Sequence, residues 1–169
     1  MIEDVMQELR TAFQAFLPAA LDVEDAEYAA ADVAEFGTAI VLLDVVTFRF
    51  EDYEEWALQN LPALLILHRD TQTEHWMTAE ATLIHDVDVI AVVAETDPER
   101  LARRVWRTGE AIRRVMSQRA EGTGATGDPI YQVDEAGSDM GPLTDDLIPG
   151  GLVKGVRLRY RLHEVEARP

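Results

Sequence analysis

Arginine is the residue most concentrated for chemistry in this chain. Seven arginines fall between positions 97 and 119 against three acids, a local net charge of +4 in a chain whose formal net charge is −17. Lys154 is the single lysine. Guanidinium groups pair bidentately with carboxylates and phosphates and tolerate burial at interfaces better than ammonium groups. The chemistry on offer is therefore anion recognition. The remaining titratable residues give no catalytic pattern. The histidines, His68, His75, His85 and His163, form no His-Glu-x-x-His and no i,i+4 helical pair. His85 and Asp86 are adjacent on a strand-like segment and so point to opposite faces, which speaks against a shared metal. Only Ser117 and Ser138 are serines, and neither sits in a nucleophile elbow. Gly122-Thr123-Gly124-Ala125-Thr126-Gly127 has no following lysine and reads as a linker. Scattered acidic pairs are more often solvated surface than tuned dyads. No enzyme activity, metal or cofactor is expected.

The distribution of charge narrows which anion the arginines meet. Residues 1–60 carry a net −12, 61–96 a net −5, 120–150 a net −7 and 151–169 a net +3. Phosphate binding needs cations that outweigh local acids, so a nucleic-acid grip is disfavoured. Two readings of the arginine cluster stay open: a salt-bridge network on the surface of one monomer, and a subunit interface in which a basic face meets a neighbour's acidic face. The interface is the favoured reading.

The elements that position these residues can be read from periodicity. At 169 residues, 47% of them hydrophobic, the chain has the size and apolar content of one globular domain, 1–169. It has no cysteine, no apolar run long enough to span a bilayer, and an acidic N-terminus unlike a secretory signal. A soluble protein, intracellular at synthesis, is expected. Ile2, Val5, Met6, Leu9, Phe13 and Phe16 predict an amphipathic helix ended by Pro18. The Ala/Asp/Glu-rich 19–36 reads as an exposed loop with some helical turns. Ala39–Phe50 predicts a strand, with an uncomfortable buried Asp44, and Asp52 with Glu55 predicts a capped short helix to Asn60. A short strand at Ala63–His68 and a long one at Thr78–Ala94 follow, the latter extending beyond the sheet as part of a hairpin. Asp97-Pro98-Glu99 starts an amphipathic helix. Residues 121–151 are Gly-rich, with a short strand at Ile130–Val133 and a long flexible loop at 134–151. In the closing strand Val156, Leu158, Tyr160 and Leu162 form a core face and Arg157, Arg159, Arg161 and His163 a basic ladder. The expected fold class is α+β: a mixed, mainly antiparallel sheet with two main helices packed on it and an extended hairpin or loop.

This order of elements resembles the tail-terminator (tail-completion, minor tail protein U-like) family of long-tailed bacteriophages. The resemblance is carried by Leu61-Pro62-Ala63-Leu64-Leu65-Ile66-Leu67, His85–Val92, Asp97-Pro98-Glu99-Arg100-Leu101 with Ala111-Ile112-Arg113, and Val156-Arg157-Leu158-Arg159-Tyr160. It implies a structural virion protein without catalysis, metal or cofactor, assembled in the host cytoplasm into a hexameric ring of the tail and neck. The implied partners are further copies of itself, the tail tube protein and the head–tail connector, with DNA passing through the lumen without specific binding and no membrane involved. Under that resemblance Arg103, Arg104, Arg107, Arg113, Arg114, Arg157, Arg159 and Arg161 are the expected subunit interface. Asp134, Asp139, Met140, Leu143, Asp145 and Asp146 form the loop expected to reach a neighbouring ring. A head–tail connector or adaptor, or a stand-alone α+β ligand-binding module, is the alternative.

Overall fold

The computed structural model describes residues 2–45, 47–50, 61–75, 80–118, 121–123, 129–142 and 152–167. In chain order the elements are α1 (Ile2–Phe36), β1 (Thr47–Arg49), β2 (Ala63–His75), β3 (Glu80–Glu95), α2 (Pro98–Gln118), β4 (Glu121–Thr123), β5 (Pro129–Pro142) and β6 (Leu152–Ala167). The strands lie in the order β1-β2-β3-β6-β5-β4, with β1 parallel to β2 and all other pairs antiparallel. The fold is α+β, as the residue patterns predict.

The core forms where both helices cover one sheet face. Val87, Val89, Ala91 and Val93 of β3 alternate inward with Leu64 and Ile66 of β2 and Val156, Leu158 and Leu162 of β6. Leu9, Phe13 and Leu17 of α1 and Leu101, Val105, Ile112 and Val115 of α2 meet them there. Gly109 lets α2 lie close to the sheet, since a Cβ there would stand 3.3 Å from Val156 Cγ2. On the opposite face Leu65, Leu67, Ile90, Val92 and Val153 form a second buried cluster.

Asp97 caps α2 as its residue type suggests: Oδ1 accepts from the backbone N–H groups of Glu99 (2.9 Å) and Arg100 (3.0 Å). The first helix differs from expectation. Pro18 does not end it, and α1 continues through 19–36 to Phe36. A proline inside a helix costs about 3 kcal/mol through a lost hydrogen bond and a clash. Burial of Phe13, Leu17, Ala20 and Leu21 on either side offsets that cost, and the alanines that follow are the strongest helix formers. Gly37 stops the helix at φ +75°, its N–H bonded to the Val33 carbonyl at 3.0 Å in a left-handed cap.

Three further expectations change. Among the described residues of 39–50 only Thr47–Arg49 form a strand, and Asp44 is exposed. Backbone N–H groups of this segment go to α1 carboxylates instead of a ladder: Ile40 to Asp32 Oδ2 and Leu42 to Asp25, each at 3.0 Å. Burial pushes the Asp25 carboxyl above its ordinary range, the Leu42 bond opposing it. The strand read as Ala63–His68 runs to His75. Residues 134–142 are not loop but part of β5, placing Asp134 opposite Arg161, Asp139 opposite Arg157 and Met140 opposite Val156 along β6. Register shifts interrupt both long outer strands, between His68 and Asp70 in β2 and between Glu135 and Gly137 in β5. The helix expected from Asp52 to Asn60, most of the glycine linker, and Leu143, Asp145 and Asp146 lie outside the described residues.

Candidate functional site

Five of the six α2 arginines find carboxylates within the same chain, and Arg100 donates to the Thr38 hydroxyl at 3.2 Å. Glu24, Tyr28, Asp32 and Glu35 recur along α1 at intervals of four, four and three. Arg103, Arg107, Glu110 and Arg114 recur along α2 at four, three and four. Each set forms one stripe, and the two stripes meet. Arg107 donates from Nη1 and Nη2 to the two Asp32 oxygens, both at 2.6 Å, and its guanidinium lies 4.5 Å from the Tyr28 ring centroid. Both charged residues are buried. The bonds from Arg107 hold the Asp32 carboxyl below its ordinary range, outweighing burial, and the Ile40 N–H adds to them. Arg114 reaches the buried Glu24 at 2.7 Å. Arg103 bonds Glu35 at 2.7 Å and Glu99 at 3.4 Å, stacking on Phe36 at 4.8 Å.

Two other arginines turn elsewhere. Arg104 stands 3.2 Å from Glu95, whose carboxyl is held low by the Thr96 N–H and, less strongly, by Arg104. Arg113 donates to Glu135 (3.0 Å) and Ser138 (2.8 Å) of β5 and pairs with Glu110. All five charges are therefore met inside one protomer. Reading 19–36 as loop hid this, because only a continuous helix places its acids in a stripe.

The β6 ladder is likewise interleaved with acids. Antiparallel register sets Asp88 opposite Arg159 and Asp86 opposite Arg161. Asp88 lies 2.9 Å from Arg69 Nε and 3.6 Å from Arg157 Nε, Asp86 lies 3.4 Å from Arg161, and Asp134 lies 3.1 Å from His163. The open sheet face is thus a mosaic with arginines outermost.

A polar chain crosses β2, β3 and β6 that residue spacing does not reveal. His85, buried, lies 2.8 Å from Glu164 through Nε2 and 2.9 Å from Thr71 Oγ1 through Nδ1, and His68 Nε2 lies 2.8 Å from the same hydroxyl. A carboxylate only accepts, so His85 Nε2 carries a proton and donates to Glu164. This chain satisfies a buried imidazole and pins the register of three strands. An apolar cavity of about 120 Å³ lies between Leu42, Leu61, Pro62, Val93, Arg104 and Thr108. Among the described residues no group of three or more His, Asp or Glu side chains is placed to hold a metal ion, and no helix is long and apolar enough to cross a membrane.

Compared with the models of known protein families the chain matches none, and no curated protein matches it.

Proposed function

We propose that the chain is a ring-forming tail terminator of a long-tailed bacteriophage. The observation that supports this reading is the order and placement of its elements. An amphipathic helix, a proline-preceded strand, a long strand pair, an Asp-Pro-Glu-capped helix and a closing alternating strand lie in one sheet with both helices on one face. In this reading copies associate into a ring at the end of the tail tube, stop its growth and present the opposite rim to the head–tail connector. DNA crosses the lumen without being gripped, because carboxylates repel phosphates. The exposed Glu3 and Asp22 of α1 are candidates to line it. Since Arg103, Arg104, Arg107, Arg113 and Arg114 meet carboxylates within the chain, the contact between copies draws its charge from other side chains.

The test is electron microscopy of the purified protein, alone and added to polymerising tube protein of the same virus. Ring-sized caps and tubes of bounded length are expected. Unaltered tube growth would overturn the reading, and binding to the connector but not the tube would favour an adaptor. The 120 Å³ cavity supports a second reading, a ligand-binding module. A persistent monomer whose melting temperature rises with small apolar compounds would favour it.

A further inference from the structure

Trp106 is the most exposed large apolar side chain among the described residues, at 58%. It lines a groove of about 540 Å³ with Glu24, Tyr28, Arg103, Arg107 and Glu110. Around it the molecule repeatedly stacks guanidinium on aromatic rings: Arg103 on Phe36 at 4.8 Å and Arg107 on Tyr28 at 4.5 Å. Tryptophan is the strongest ring for such a contact, yet among the described residues no cation stands over Trp106. Beside it stands Glu110, half-exposed and paired on one side with Arg113. The complementary chemistry sits on the far side of the same molecule. There Arg161 is 59% exposed, held only loosely by Asp86 at 3.4 Å, on the rim of a groove of about 620 Å³ lined also by Arg157 and Arg159.

We propose that Trp106 anchors the contact between copies, receiving Arg161 of the neighbouring copy on its ring while Glu110 takes the charge. The two surfaces are unlike and lie on opposite faces of the sheet, so the contact is heterologous, the kind that generates rings when its rotation closes. Trp and Arg are the residue types that dominate interface energetics. This inference rests on the ring reading above and names its interface.

The experiment is sedimentation of the full chain over a range of concentrations, alone and with tail tubes. Trp106→Ala and Arg161→Glu should each weaken self-association about thirty-fold. Combining Arg161→Glu with Glu110→Arg should recover only part of that loss, because the ionic pair is re-formed in reverse while the cation on the Trp106 ring is not. Circular dichroism melts should stay near wild type, because both side chains are exposed. Rings indifferent to both single substitutions would overturn this contact and leave the terminator reading intact. Trp106-dependent association without any capping of tubes would keep the contact and overturn the terminator. A chain monomeric under both conditions would overturn both.

Discussion

The two halves of α1 belong to one helix but are held by different forces. From Ile2 to Leu21 the buried positions are Val5, Met6, Leu9, Ala12, Phe13, Leu17, Ala20 and Leu21, all apolar and all but Ala12 packed in the main core. From Asp22 to Phe36 the buried positions are Glu24 and Asp32, both charged and both paired with α2 arginines. The first half is stabilised by removal of apolar surface from water, which is non-directional and tolerant of small rearrangement. The second half depends on geometry. An ion pair out of water offsets its desolvation only when each oxygen and N–H is met, as the Arg107–Asp32–Ile40 arrangement does. One helix thus carries a core and a registration device end to end.

The largest effect is expected at Arg107. Arg107→Ala leaves Asp32 buried without its cation and should cost about 3 to 5 kcal/mol in urea denaturation. Replacing both partners, Asp32→Leu with Arg107→Met, should recover most of that loss if polar specificity, not net energy, is what the pair supplies. Leu9→Ala in the apolar half should cost about 3 kcal/mol and, unlike the charge deletion, show no recoverable partner. Acid should act more weakly and on the second half first. Because the folded Asp32 carboxyl is depressed, its stabilisation is present above the unfolded value near 3.8 and is lost as pH falls through the lower folded value. Hydrogen exchange should therefore quicken across 22–36 before 2–21 as pH drops below about 4; simultaneous quickening would erase the distinction between the halves. Smallest is Gly37→Ala, which forces a Cβ into a left-handed φ of +75° and should cost about 1 kcal/mol by thermal melt.

What could be read from residue types follows the same division. The capped α2, the alternation of β6 and the apolar run of β3 were legible because local pattern and tertiary burial agree there. The second half of α1 was not, because its inward stripe is written in acids, and a proline precedes it. Nor was the 39–45 segment. Its apolar residues suggest a strand, but the N–H groups of Ile40 and Leu42 are satisfied by Asp32 and Asp25 side chains, whose placement depends on α1 continuing past Pro18. The strand at 134–142 was hidden by Gly137 and by acids whose meaning appears only opposite the arginines of β6. The arginines drew attention by their number. Their partners required the fold.

The register shifts in β2 and β5 bear on how such a molecule avoids its own polymerisation. Among the described residues β1 covers only Ala63–Leu65 of β2, and β4 only the first part of β5, so long main-chain margins lie open on both flanks. An unbroken margin is a template for another strand. An extra residue in each bends the strand and spoils the donor–acceptor spacing that a visiting chain would need. Stitching of copies backbone to backbone into an endless ribbon is thereby disfavoured at both flanks.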